Sequence, residues 1–182
     1  LDSWDLQFTA AGEQVSQARA DYLATLAPFI TDAVQALLGE PVGLSYSTGW
    51  RKDQSLAEAV HEHRGRDRQR KTSTVGPQRA DLRVTCDTAP AKDIVSRGQQ
   101  KLLASALILG QLAYHGQRGM KSTLLLDDPA AELDPAKLTL LLQQALQLNV
   151  QVVVTSIRPE VPVIGPPGHA FHVERGTVTR II

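Results

Sequence analysis

Two adjacent carboxylates follow an apolar run in the second half of the chain. Residues 124–126 are typical of a buried strand, and Asp127 and Asp128 come directly after them. In an open parallel sheet, ligands bind beyond the carboxyl ends of the strands. One carboxylate there suits Mg²⁺, which keeps several of its waters, and the other could orient or deprotonate a water molecule. A strand that ends in a polar turn, with aspartate as the turn former, explains the same residues without any chemistry.

Two further segments combine polar residues with a predicted helix start. Residues 95–101 place Ser96 before a helix and Gly98 in its first turn, and the free amides and positive dipole of such an end favour a phosphate. Asp134 precedes Pro135, a pair typical of a helix N-cap and the first helical position. An ordinary capped helix explains either segment by itself, so only their spacing from the carboxylate pair suggests a common site.

Hydrophobic periodicity and turn residues predict two parts in the chain. Residues 1–71 form a mainly helical lobe, whose first helix contains Pro28 and is kinked or split by it. Residues 72–182 alternate strands with helices, which indicates an α/β lobe with a largely parallel sheet. The predicted helices are 14–39, 54–71, 102–114 and 135–148. The predicted strands are 44–47, 82–86, 123–127 and 151–155, and we expect 123–127 and 151–155 to be buried. Two further predicted strands, 169–173 and 177–181, form a hairpin.

Composition sets few limits on function. The 182 residues contain 19 Lys and Arg and 19 Asp and Glu, so net charge neither supports nor excludes a nucleic-acid partner. The single cysteine, Cys86, excludes an internal disulfide and fits a cytoplasmic location. No apolar run reaches the roughly 20 residues of a membrane span.

A run of basic residues lies in the second half of the predicted helix 54–71. These side chains could contact DNA phosphates. A solvated helix face, relieved by Glu62 and Asp67, is the competing interpretation. The candidate DNA contacts are Arg64, Arg66, Arg68, Arg70 and Lys71.

The order of these motifs resembles one family. A Ser-Arg-Gly-Gln-Gln-Lys signature at 96–101 opens a helix, an apolar strand ends in two aspartates, and a Glu-Leu-Asp loop at 132–134 leads into the next helix. This order is similar to the second half of an ABC-type ATPase head of the SMC-like branch, and above all to the RecF family of bacterial recombination mediators. That family also has a Gly-Pro-His-Arg-x-Asp-Leu segment, which residues 76–82 resemble, and a charged stretch similar to residues 66–69.

The resemblance implies a fold and a role for each matching residue. The fold would be an incomplete ABC/SMC-type P-loop NTPase head at 72–182, joined to a helical arm at 1–71. In such ATPases two heads close around ATP, the Walker A loop of one holding the phosphates and the signature of the other capping the γ-phosphate. Asp127 would serve Mg²⁺, Asp128 would take the place of the catalytic base, and Asp134 would belong to the loop that couples the two sites. The signature residues that would contact ATP on a partner subunit are Ser96, Arg97, Gly98, Gln99 and Gln100.

The resemblance also implies partners. RecF-like proteins clamp double-stranded DNA as ATP-bound homodimers near single-strand/double-strand junctions. With RecR and RecO they help to load the recombinase RecA. By this analogy the chain acts in DNA repair, replication and recombination, including the SOS response to DNA damage.

Three features depart from the family pattern. No G-x-x-x-x-G-K-[ST] sequence, the Walker A loop, occurs in these residues. We therefore expect the carboxyl-terminal part of a longer ATPase, which alone binds ATP weakly or not at all and is inactive. Gln78 stands where the RecF pattern has histidine, and Thr155 and Ser156 end the strand after which ABC transporters place a switch histidine. Two alternatives stay open: the head of another SMC-like ATPase, or a nucleotide-free adaptor or dimerisation module with the ABC shape.

Overall fold

The chain folds into two compact units, Leu1–Tyr114 and His115–Ile182. The computed structural model describes residues 2–157 and 168–181, with side chains from residue 4 onward. The boundary between the units does not fall at residues 71 and 72, because a sheet in the first unit joins a strand before that point to a strand after it. The functional division predicted there stays a prediction.

Long helices and a small antiparallel sheet form the first unit. Its sheet has the order β1-β2-β3, and β1 and β2, both predicted, pair antiparallel along the full length of β1. Its core includes apolar side chains from α1, α2 and α4, among them Ile30, Leu56 and Leu102. The elements are α1 (Asp2–Leu38), β1 (Gly43–Ser47), α2 (Leu56–Arg70), β2 (Asp81–Cys86), β3 (Ala89–Pro90), α3 (Ala91–Ile94) and α4 (Arg97–Gln117), the last of which runs into the second unit.

The first helix is longer than predicted, and Pro28 does not split it. α1 begins at Asp2, because its first turns bury the small residues Thr9, Gly12 and Ser16, which give no apolar periodicity. A Cβ on Gly12 would lie 2.5 Å from a methyl carbon of Leu56, so α2 packs closely at that point. The apolar side chains buried on either side of Pro28 offset the hydrogen bond that proline removes.

Two strand pairs and one helix form the described part of the second unit. The strands β4 (Thr123–Leu126) and β5 (Gln151–Val154) pair in parallel, as predicted, and α5 (Pro135–Gln147) connects them. The predicted hairpin is confirmed by the antiparallel pair β6 (Phe171–Glu174) and β7 (Thr177–Arg180). Every predicted element of this unit lies within two residues of its observed bounds.

The prediction that β4 and β5 are buried was wrong. Leu124 is buried, but Leu125 is 71% exposed and its register partner Val153 is 42% exposed. An apolar run without alternation indicates layers on both faces of a sheet. In the described residues of this unit, the face that carries Leu125 and Val153 is instead open.

None of the described helices combines the length and apolar character that crossing a membrane requires.

Candidate functional site

The carboxylate pair lies where two parallel strands end side by side. The register pairs Leu126 with Val154, so the next residues, Asp127 and Thr155, are neighbours. The Thr155 amide donates to the Leu126 carbonyl at 2.9 Å, and the Thr155 hydroxyl donates to Oδ1 of Asp127 at 2.6 Å. The same hydroxyl oxygen accepts the amide of Asp128 at 3.0 Å. One threonine therefore contacts both residues of the pair.

Asp128 has an unusual backbone and an unusual carboxylate environment. Its φ of 40° and ψ of 52° are left-handed, a conformation that costs most non-glycine residues about 1–2 kcal/mol. Its Oδ1 is buried and has no hydrogen-bond partner among the described residues. The chain then continues into a 3-10 turn, Pro129–Ala131, in which the Ala131 amide donates to the Asp128 carbonyl at 3.0 Å. Strained backbone together with an unsatisfied buried oxygen is typical of functional sites.

The donor set at this strand end suits Mg²⁺ bound together with a phosphate ligand. Asp127 is exposed and has one carboxylate oxygen that Thr155 does not engage. Mg²⁺ usually takes only one or two protein carboxylates and completes its shell with waters and substrate phosphates. In the described residues no cluster of three or more His, Cys, Asp or Glu side chains could enclose a metal. The residues thus fit an ion that arrives with a nucleotide.

The signature segment forms a reciprocal helix cap. The Ser96 amide donates to Oε1 of Gln99 at 2.8 Å, and the Gln99 amide donates to the Ser96 hydroxyl oxygen at 3.3 Å. This is a capping box, and it starts α4 earlier than the predicted residue 102. Gln100 donates to two carbonyls at the end of α3, at 3.2 and 3.4 Å, while Arg97 is exposed and Gly98 half-buried. The Ser96 hydroxyl accepts in the cap and keeps its own proton for another acceptor.

Asp134 caps α5, as predicted. Its Oδ1 accepts the amide of Lys137 at 3.0 Å, and its Oδ2 lies 3.0 Å from the Lys137 ammonium. The hydrogen bond from the Lys137 amide, followed by the interaction with the Lys137 side chain, lowers the pKa of Asp134 below its ordinary value. These contacts account for Asp134 within its own helix, and its role between two ATP sites stays a prediction.

The basic run does not form one surface. Arg64 is half-buried and forms an ion pair with Asp5 in α1. Residues three and four apart share a helix face, which separates the run into two groups. One group, Arg64, Arg68 and Lys71, lines a groove of about 770 Å³ that Trp4 and Phe8 also border. The other group consists of Arg66 and Arg70, both of which are exposed.

Asp67, predicted only to relieve the charge of the basic run, holds the loop after α2 through hydrogen bonds to Thr74. Its Oδ1 accepts the hydroxyl of Thr74 at 2.6 Å and the amide of Thr74 at 3.1 Å, and the hydroxyl contact is the main cause of its lowered pKa. Because that hydroxyl proton goes to Asp67, the 3.0 Å contact between Thr74 and His63 requires Nδ1 of His63 to donate. The pairing spans seven residues and a turn, and no local sequence pattern indicates it.

The segment 76–82, which resembles the RecF pattern, has a structural role in the first unit. Gly76 has a φ of 127°, and a Cβ on Gly49 would lie 2.2 Å from the Gly76 carbonyl oxygen, so glycine is required at this close approach. Arg19 in α1 donates to the Pro77 carbonyl at 2.7 Å. Gln78, at the histidine position of the family, donates to the Val75 carbonyl at 2.9 Å.

The chain is similar to known proteins over its whole length. No protein-family profile matches the chain. A protein of Mannheimia succiniciproducens named DNA replication and repair protein RecF is 37% identical over 186 residues, covering 100% of this chain and 52% of that protein. The chain is a homologue of RecF. A protein of the same name from Actinobacillus pleuropneumoniae is 39% identical over 86% of this RecF homologue and 44% of its own length. Another, from Klebsiella pneumoniae, is 36% identical over 98% of this chain and 51% of its own length.

The homologue spans about half the length of the curated relatives it matches, and the matching part is their carboxyl-terminal half. A solved structure described as "the recombination mediator protein RecF-ATPrS in RecFOR pathway" superposes with a TM-score of 0.77 at 20% identity, over 100% of this chain and 51% of that one. A second, described as RecF-ATP, gives 0.77 at 21% identity. The predicted fold, the carboxyl-terminal part of an ABC/SMC-type ATPase head with a helical portion, is confirmed.

Proposed function

We propose that this chain carries the signature and Walker B half of a RecF-type ATPase that acts in DNA repair, replication and recombination. The relatives named DNA replication and repair protein RecF support the process, and the RecF structures described with ATP or ATPrS support the nucleotide. The observation that carries the proposal is Asp128, which is held in a left-handed conformation with an unpartnered carboxylate oxygen beside Asp127.

The two carboxylates would have different roles in ATP hydrolysis. Asp127, whose Oδ1 accepts the hydroxyl of Thr155, would bind Mg²⁺ through its remaining oxygen, directly or through a water. When bound, the ion neutralises charge on the ATP phosphates. Asp128 would orient or deprotonate the attacking water, which would also satisfy its unpartnered carboxylate.

The signature would act on a second subunit. The start of α4 presents amides and a positive dipole end, to which a γ-phosphate could bind. Asp134 would lie in the loop that couples the two ATP sites of a homodimer. The residues proposed to contact ATP in trans are Ser96, Arg97, Gly98, Gln99 and Gln100.

The ATP-bound homodimer would clamp double-stranded DNA in the cytoplasm near single-strand/double-strand junctions, and with RecR and RecO it would aid the loading of RecA. The exposed cations of α2 and the following residue, Arg66, Arg68, Arg70 and Lys71, would supply phosphate contacts. Arg64 would contribute less, since Asp5 already engages its charge.

The ATPase proposal can be tested in a chimera that joins this chain to the half of the M. succiniciproducens RecF that it does not cover. We expect ATP hydrolysis that depends on Mg²⁺. Asp128→Asn should lower kcat by roughly 100-fold or more while ATP binding persists, since general base catalysis contributes about 10²–10⁴-fold. Asp32→Asn, a change at an exposed aspartate of α1, is the matched control. A chimera that binds ATP and dimerises but hydrolyses nothing would favour the adaptor alternative.

The DNA proposal can be tested by charge reversal in the same chimera. The double variant Arg66→Glu/Arg68→Glu should bind duplex DNA more weakly, with a salt dependence shallower by about 0.9 log unit for each phosphate that the variant no longer neutralises. Lys52→Glu/Arg83→Glu, which alters the charge equally at two other exposed positions, is the control. Equal affinity and equal salt dependence in the two double variants would show that Arg66 and Arg68 do not contact DNA.

A further inference from the structure

Thr155 links the two residues of the carboxylate pair through one hydroxyl group. The hydroxyl lies 2.6 Å from Oδ1 of Asp127 and 3.0 Å from the amide nitrogen of Asp128. We infer that Thr155 is a positioning residue of the proposed ATP site, which determines the carboxylate oxygen that Asp127 offers to Mg²⁺ and the backbone conformation of Asp128. This inference rests on the proposed function.

The two contacts fit only one arrangement of protons. A carboxylate can only accept, so the hydroxyl proton must point to Asp127. The Asp128 amide can only donate, so it must point to a lone pair of the same oxygen. The Thr155 amide, bonded to the Leu126 carbonyl, fixes the backbone, and a β-branched side chain has few rotamers. The hydroxyl is therefore held between its two partners by the end of the sheet.

Both contacts have consequences for the site. With Oδ1 of Asp127 engaged by the hydroxyl, the other oxygen remains for a metal, which favours a one-oxygen contact with Mg²⁺. The left-handed backbone of Asp128 is a conformation that aspartate tolerates better than most residues, and the hydrogen bond from its amide to Thr155 is one restraint on it. Thr155 acts on ATP and Mg²⁺ only through these two aspartates.

The other end of the same strand pair provides a matched control. Thr123, at the first residue of β4, has its hydroxyl 3.2 Å from the side-chain oxygen of Gln151, its register partner on β5. The two threonines thus share residue type, strand pair and a hydrogen bond between neighbouring strands. Of the two, only Thr155 contacts the carboxylate pair. Thr123→Val therefore removes a hydrogen bond between the strands and leaves the aspartates untouched, whereas Thr155→Val removes the contacts with both aspartates.

The test uses two nuclear magnetic resonance measurements. The first is hydrogen exchange of the Asp128 amide in the 182-residue chain. The second is broadening of the Asp127 and Asp128 signals by Mn²⁺, used in place of Mg²⁺, in the chimera with a slowly hydrolysed ATP analogue, so that the ion has its phosphate ligands. In Thr155→Val we expect Asp128 exchange to rise by about tenfold, the effect of removing one hydrogen bond, and the Mn²⁺ effect to weaken several-fold. Thr155→Ser, which keeps the hydroxyl, and Thr123→Val should both behave as the unchanged chain.

Each outcome decides the inference. Unchanged Asp128 exchange in Thr155→Val would overturn it whether or not the chain serves an ATPase. Faster exchange with unchanged Mn²⁺ broadening would also overturn it, because the carboxylates would then not depend on Thr155. If Mn²⁺ broadens neither aspartate in the nucleotide-bound chimera without substitutions, the proposed metal role of Asp127 fails, and this role of Thr155 fails with it. Melting curves of all variants identify any change caused by unfolding.

Discussion

At the residue scale, Asp134 links the stability of α5 to pH. Because the Lys137 amide and ammonium lower its pKa, the folded chain favours the ionised carboxylate. Its contribution is therefore fully present above the ordinary pKa of aspartate, about 4, and is lost as pH falls through the lowered value. Asp134→Asn should lower the melting temperature only slightly at neutral pH, because solvent screens this exposed carboxylate, and the difference should shrink below about pH 4.

Asparagine is a suitable control residue because it caps helices about as well as aspartate but does not titrate. Melting temperatures from pH 2 to 7 for the two chains are the measurement. A difference that stays constant down to the lowest pH would mean that the charge of Asp134 adds nothing to the cap. Asp134→Ala, which removes cap and charge together, should be less stable than Asp134→Asn across the whole range.

Local residue patterns predicted much of the candidate site. The structure has the predicted strand end before the aspartates and the predicted caps at Ser96 and Asp134. All three features depend only on residues that are neighbours in the sequence. The role of Thr155 was missed, because its partner Asp127 lies 28 residues away and only the parallel register brings them together. Aligning the carboxyl ends of the two predicted strands would have placed Thr155 beside Asp127 and so indicated the contact.

At the element scale, α1 and α4 approach each other closely at a glycine. A Cβ on Gly110 would lie 2.7 Å from the Cα of Ile30 and 2.8 Å from its nitrogen, so a side chain there would force the two helices apart. We expect Gly110→Ala to lower the free energy of unfolding by about 1–3 kcal/mol, in spite of the higher helix propensity of alanine. Urea denaturation measures the change.

Gly65 provides the contrast within a helix. A Cβ there meets no atom within 4 Å, so Gly65→Ala should raise the free energy of unfolding by up to about 1 kcal/mol. A stabilising effect of both substitutions would contradict the close approach of α1 and α4 at Gly110. A destabilising effect of both would instead indicate that α2 does not tolerate alanine at Gly65 for reasons other than space.

Patterns within single elements predicted most helices and strands, while the pairing of β1 with β2 was not visible in sequence. The antiparallel pairing of β1 with β2 joins residues 43–47 to 81–85 and crosses the predicted division of the chain. The early start of α1 was missed because Thr9 and Ser16, both buried, look polar in sequence. The alternating exposure of β4 was missed because Leu124 and Leu125 are equally apolar, and only the surrounding layers decide which one is buried.

At the scale of the whole molecule, exposed apolar strand faces predict self-association. In the second unit, Leu125 is 71% exposed beside Val153, and the hairpin pair Val173 and Val178 is 65% and 63% exposed. Apolar faces on strands whose neighbours do not cover them tend to associate with other chains. The chimera with the other half of RecF should associate less, if that half covers these faces.

Sedimentation velocity over a hundredfold range of concentration measures this association. We expect the average sedimentation coefficient of the 182-residue chain to rise with concentration. Leu125→Thr/Val153→Thr should reduce the rise, because threonine keeps the strand propensity of a β-branched residue while adding a polar group. Val173→Thr/Val178→Thr, made in parallel, would identify whether the hairpin or the parallel pair dominates. A monomer at every concentration, with cooperative unfolding, would contradict the prediction and would mean that these faces do not drive association.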